Sequence, residues 1–283
     1  MKRQRRTFVT LAALLGALVL GAPSAFAADE PQWVRTGTSY TDTPGGGQGL
    51  ASRADGSLLY RGLLDIPLDL RIKGWNHVGD PDIAQGHVFD AYQGADDATS
   101  KMYAVTTPSG QRFDYVHQLN PGEKVNNSFA TVSPDGQWLV SGEWGDQNRL
   151  QVFPAPLLNP STPRRGGTLA EAGQISLDRP VRDIQGCDFV TDTRLLCASD
   201  DGSGTLFPQS RPLLQVDLPH KLDGQPVTGT VKSLFGLPRS SVCSGTFEAE
   251  GVDYDGQSGT LRAEVIPPGV CAVATTVYWY RLQ

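Results

Sequence analysis

The feature that most constrains this chain is a phrase that returns loosely along it. A glycine-led opening runs into a short apolar strand, turns on Asp or Asp-Gly, and continues as a second apolar strand. The fullest copy is Phe129-Ala-Thr-Val-Ser-Pro-Asp-Gly-Gln-Trp-Leu-Val-Ser-Gly142, and partial copies lie near residues 48–60, 185–199 and 250–265. A strand pair that recurs in this way cannot bury its apolar faces alone, so copies must stack, radially or in a line. After residue 27 no window keeps apolar residues at i, i+3, i+4 and i+7 without a glycine, proline or turn cluster, and long amphipathic helices are not expected. The chain therefore predicts an all-β fold, a β-propeller.

Grouping the expected strands in fours gives units that begin near Gly49, Gly79, Phe129, Gly186 and Gly251, which makes five four-stranded blades of about fifty residues each. The stretch Trp33–Tyr40 is expected to complete the sheet that holds the C-terminal strand around Thr275–Leu282, closing the ring. A β-sandwich is the competing arrangement, but it does not explain the repeated glycine-led openings. Pro154 to Gly173, with four prolines and Arg164-Arg165, predicts an exposed loop.

Residues 1–27 read as an export signal. Lys2, Arg3, Arg5 and Arg6 form a basic head, Leu11–Leu20 an apolar middle, and Ala25-Phe26-Ala27 a small-x-small cleavage site. Either general secretion or the twin-arginine route would serve, the latter suggested by Arg5-Arg6-Thr7-Phe8-Val9. Residues 28–283 then form a single secreted domain with no further span. It carries 20 basic and 30 acidic side chains, a net charge of −10. Such a surface argues against nucleic acid and anionic membranes as partners, and a monomer with a small-molecule or protein ligand is expected.

Four cysteines in an exported chain predict two disulfides, for which three connectivities are open. A hairpin turning about Asp192 puts Cys187 opposite Cys197, which leaves Cys243 for Cys271. No C-x-x-C spacing supports a redox or metal role.

In a propeller, ligands bind at a mouth of the central channel, so the openings of successive blades are where chemistry is expected. They present Gln48-Gly49, Asn76-His77-Val78-Gly79-Asp80-Pro81-Asp82, Asn127-Ser128, Gln185-Gly186-Cys187-Asp188 and Glu250-Gly251-Val252-Asp253. Gln48, Asn76, His77, Gln185, Asp188 and Glu250 are thus the expected ligand-binding set. Asp80, Asp82, Asp188, Glu250 and Asp253 offer the oxygens that a structural Ca²⁺ prefers. The alternative function is metal-assisted hydrolysis of an ester, lactone or phosphoester, with His77 as general base and a metal-bound water as nucleophile. His87 and His117 fall in expected strands and are read as structural. No nucleophile elbow, zinc-protease helix, phosphate loop or dinucleotide fingerprint occurs. Asp253 to Glu264 mimics part of an EF-hand loop, but Ser258 stands where that loop needs glycine, and a hairpin explains the same residues.

The Ser133-Pro-Asp-Gly-Gln-Trp-Leu-Val phrase resembles that of bacterial secreted propellers of the YVTN and WD40-like kind, which implies a toroid and an exported location. Glu250-Gly-Val-Asp resembles the openings of phytase-like and esterase-like propellers, whose acidic channel residues bind calcium.

Overall fold

The computed structural model describes residues 31–125 and 128–283; the expected export signal and Asn127 lie outside them. Units of mostly antiparallel sheet follow one another from residue 49 onward. The first holds β2 (Gly49–Ser52) and β3 (Leu58–Arg61), after β1 (Trp33–Asp42) and the short helix α1 (Thr43–Gly46). The second follows helix α2 (Leu68–Ile72) and holds β4 (His77–Val78), β5 (Asp82–Ala84), β6 (His87–Gln93), β7 (Ser100–Thr106) and β8 (Arg112–Gln118). The third runs β9 (Thr131–Val132), β10 (Trp138–Ser141), β11 (Asp146–Pro154), then β13 (Gly173–Arg182), with β12 (Gly167–Thr168) between them in sequence. The fourth is β14 (Ile184–Thr191), β15 (Arg194–Ser199), β16 (Pro212–Asp217) and β17 (Val227–Gly236). The fifth is β18 (Glu248–Asp255), β19 (Thr260–Ile266) and β20 (Ala274–Leu282), completed by β1.

The fold is a propeller because one inner strand from each of these units meets the next in a closed cycle. β2 touches β5, β5 touches β9, β9 touches β14, β14 touches β18, and β18 returns to β2. Ring closure is the expected one: β1 pairs antiparallel with β20, Trp33 opposite Leu282 through Asp42 opposite Ala274, so both ends of the domain share one sheet. That arrangement ties the two ends of the domain to each other through backbone hydrogen bonds.

Two expectations need correction. The first unit has two strands rather than four, because Gly62, Pro67 and Gly74 turn the following segment into a 3₁₀ turn (Leu63–Asp65) and α2. Pro154 to Gly173 is not a free loop. It crosses to the outer edge of the second unit, where β12 pairs parallel with β8, the Tyr115 hydroxyl donates to Pro163 O at 2.5 Å, and Leu169 is buried. In β13 Asp178-Arg179-Pro180 breaks the alternation, and the structure absorbs these residues at a register shift opposite Gln147 and Arg149. β13 also pairs parallel with β17, joining the third and fourth units edge to edge.

Apolar clusters fill the space between units. The largest joins Val140, Leu150 and Val152 of the third to Leu195, Leu214 and Val216 of the fourth. Both disulfides form as expected, Cys187–Cys197 between directly opposed residues of β14 and β15 and Cys243–Cys271 between the β17–β18 link and the 3₁₀ turn that precedes β20. Among the described residues no helix is long and apolar enough to cross a membrane.

Candidate functional site

The glycine-led openings have a physical cause at the axis, and it is Asp80. Its carboxylate is buried and accepts the Leu50 N–H at 2.9 Å through Oδ1 and the Val252 N–H at 3.0 Å through Oδ2. Its backbone is bridged to the opening of the third unit, Asp80 N–H donating to Ser128 O and Ala130 N–H to Asp80 O. Three glycines make room for it. A Cβ on Gly49 would lie 2.3 Å from Asp80 Cα, one on Gly186 2.5 Å from Oδ2, and one on Gly251 2.4 Å from Oδ1. Glycine recurs here because backbones from three strands must crowd one side chain. Asp80 therefore fills the axis at this level. Burial holds its carboxyl well above the ordinary range, against the pull of the two N–H donors.

Side chains two residues further along a strand point the same way, one pleat repeat onward. Asp82 follows Asp80, Asp188 follows Gly186, Asp253 follows Gly251, and Thr131 follows Phe129. Each of the three carboxylates ties its own strand to another of the ring. Asp82 Oδ2 accepts from Val132 N–H at 2.6 Å, Asp188 Oδ2 from Tyr254 N–H at 2.7 Å, and Asp253 Oδ1 from Ser52 N–H at 2.6 Å. Asp82 and Asp188 also accept the N–H of the residue after each, Ile83 and Phe189. Asp253 is neutralised by Arg262, whose Nη1 donates to Oδ2 at 2.5 Å while the guanidinium stacks 5.0 Å from the Trp279 ring centre.

Asp82 and Asp188 are neighbours. The Thr131 hydroxyl lies 3.5 Å from Asp82 Oδ2 and 3.4 Å from Asp188 Oδ1, and its single proton can serve only one of them. Burial pushes Asp82 up to about 6. Burial, and then the charges of Asp82 and Asp253, push Asp188 well above the usual carboxylate range. At neutral pH such a pair favours sharing one proton over two adjacent negative charges.

All three carboxylates face a cavity of about 850 Å³ at the end of the ring where the inner strands finish. Phe189, Tyr254, Val132 and Val88 supply its apolar wall, and Arg53 and Asp255 stand among its lining. This cup combines a large apolar surface with a few converging polar groups.

The expected site residues divide between the two levels. Asp82, Asp188 and Asp253 line the cup, and Asp80 plugs the axis beneath it. The other expected ligand-binding residues are not in the cup lining. Gln48 folds back on Gly47 O, Asn76 is exposed, and Gln185 is half-buried beside Gly186. His77 sits half-buried on β4 opposite Gln93, where burial lowers its pKa. Glu250 is buried at the irregular pairing of β18 with β19, and burial, then the charges of Glu248, Asp200 and Glu264, hold its carboxyl well above the ordinary range. Thr131, Ser52 and Arg262 were missed. The spacing of two from each opening would have found Thr131; Ser52 and Arg262 become partners of Asp253 only through the packing of the fifth unit on the first.

No family model and no curated protein matches the chain. Among solved structures it is similar to the native Bacillus subtilis arabinanase Arb43A, at 12% identity over 88% of this chain and 92% of that one with a TM-score of 0.39. It is similar also to RS223 β-xylosidase, at 10% identity over 82% and 80% with a TM-score of 0.43. A chain of the mitotic checkpoint complex shares 12% identity over 96% and 99% with a TM-score of 0.37. Likeness this distant carries no argument about chemistry, which rests on the geometry above.

Proposed function

We propose that this protein binds a small ligand bearing positive charge in the cup at the end of its inner strands. The observation that supports it is the meeting of Asp82, Asp188 and Asp253 on one cavity. Arg262 already balances Asp253, so the repulsion left at the cup is between Asp82 and Asp188, and a cation delivered by a ligand would relieve it in place of a shared proton. Phe189, Tyr254 and Val132 would take the hydrocarbon part of the same ligand. Ca²⁺ is the inorganic member of this class. Asp82 and Asp188, like Asp80 below, have both oxygens committed to backbone N–H groups, and Asp253 is held by Ser52 and Arg262, which leaves little for the six to eight oxygen contacts that Ca²⁺ usually takes. An organic amine is therefore the better occupant. With two disulfides in the domain, we place its work in an oxidising compartment outside the cytoplasm.

Titration calorimetry and thermal melts with Ca²⁺ and with a graded series of primary amines test the proposal on wild type and Asp188→Asn. Saturable binding by the wild type, weakened about tenfold or more in the variant, is the expected result. Melts unmoved by every member of both series would sink it.

The Asp82–Asp188 pair favours a second reading. A protonated carboxyl beside a carboxylate is a general acid and a general base within reach of one ligand. Hydrolysis of an ester, lactone or phosphoester would then run on this pair rather than on His77. A chromogenic panel assayed on wild type, Asp188→Asn and His77→Ala decides: turnover lost in the first variant and kept in the second supports it, and an inert wild type removes it.

A further inference from the structure

A second cluster lies away from the cup, between the second and third units. His117 projects from β8, Glu123 from the loop that follows it, and Glu171 from the segment leading into β13. One donor atom from each lies within 4.8 Å of the other two, the only such group of three among the described residues. His117 Nδ1 lies 3.0 Å from Leu169 O, a carbonyl that can only accept, so Nδ1 carries a proton. His117 Nε2 then faces Glu123 Oε2 at 2.9 Å. The Lys101 ammonium at 3.1 Å from Oε1 and the Asn120 N–H at 2.9 Å from Oε2 are donors that a carboxylate accepts. A ring lone pair and a carboxylate lone pair cannot face one another bare. Either a proton or a metal cation lies between them.

We propose that His117, Glu123 and Glu171 form a binding site for a divalent transition-metal ion of the Zn²⁺ class. The supporting contacts are those that ligands of such ions have. A metal-bound imidazole typically donates its other N–H to a carbonyl, as His117 does to Leu169. Glu123 Oε1 is held by the fully buried Lys101 ammonium at 3.1 Å, leaving Oε2 toward the ring. Glu171 Oε2 accepts from Asn120 Nδ2 at 2.9 Å, while the nearest cation to its Oε1 is Arg149 at 4.0 Å. An imidazole with two carboxylates suits zinc or a similar ion rather than Ca²⁺, which takes oxygen alone. Zinc sits about 2.0–2.2 Å from such ligands, so the partly exposed Glu171 must move toward His117 and Glu123, and Glu123 Oε2 must draw back from the 2.9 Å it keeps to Nε2. A cleft of about 520 Å³ lined by His117, Asn120, Glu171 and Gln174 gives the ion and a fourth, water ligand their access. Lys101 lies 3.1 Å from Glu123 and Arg149 4.0 Å from Glu171, so each carboxylate has a cation on the side away from the proposed ion.

Titration of the tag-free full chain with Zn²⁺, and with Co²⁺ as a spectroscopic probe, tests this. The expected result is one ion per chain and a Co²⁺ visible spectrum of tetrahedral type. Glu171→Gln should weaken binding about tenfold or more, and His117→Asn should abolish it. Glu171 is near the surface, so its variant should melt as wild type does without metal, which keeps the result readable if His117→Asn fails to fold. Absence of saturable Zn²⁺ binding overturns the proposal, and so does binding unchanged in Glu171→Gln, which would assign the ion to His77, His87 or His220.

Discussion

Two seams of the ring are built differently. Between the third and fourth units the contact is apolar, with Val152, Ile175, Leu195 and Leu214 packed without charge. Between the fifth and first units it is polar. Asp253 of β18 accepts the Ser52 N–H and hydroxyl of β2, and Arg262 of β19 bonds both Asp253 and the Ser52 hydroxyl, the latter at 2.7 Å. Glu264, two residues beyond Arg262 on the same face of β19, is fully buried, and neither carboxylate oxygen has a partner; Arg262 Nε has none either. The first seam gains from removal of apolar surface whatever the pH. The second depends on which groups are charged, because a buried unpaired charge is costly. A propeller can thus close on a polar seam when β1 and β20 already lock the ring in one sheet.

The strongest way to break this contrast is Arg262→Met, which leaves Asp253 buried without its cation. It should cost about 3–5 kcal/mol in chemical denaturation. Leu214→Ala at the apolar seam should cost about 2–5 kcal/mol by opening a cavity, and the loss should be equal at pH 5 and pH 8. A loss that varied strongly with pH there would undo the distinction between the seams.

Smaller, but more telling, is the pH dependence of the wild type. Glu264 is held well above the usual carboxylate range by burial and then by Asp253, and Asp82 is pushed up to about 6 by burial. A carboxyl whose folded pKa is raised contributes stability that is complete below its unfolded value and is lost as pH rises through the folded value. The melting temperature should therefore fall from pH 5 to pH 8. Glu264→Gln keeps the shape without the ionisation and should flatten that slope. An unchanged slope in the variant would mean that Glu264 finds a counter-charge after all.

Much of the fold was legible because its signals are local. Strand alternation, Asp-Gly turns and the spacing of Cys187 from Cys197 depend on residues within one hairpin, where register follows from counting. Asp82, Asp188 and Asp253 were legible as polar residues on inner strands. His77 looked the better catalytic candidate only because it lies close to Asp80 in sequence. In space it sits on β4, outside the ring of inner strands, since Gly79 and Asp80 carry the chain inward before β5 begins.

By itself, then, the order of residues determined an all-β chain of repeated hairpins, joined at its ends and stapled by two cystines. Tertiary structure alone decided that Asp80 closes the axis, that the cavity opens where the inner strands finish, and that Leu169 meets His117. The reason is distance along the chain. Asp80 and Val252 are 172 residues apart and His117 and Leu169 are 52, so only the closing of the ring and the crossing of β12 to β8 bring them into contact.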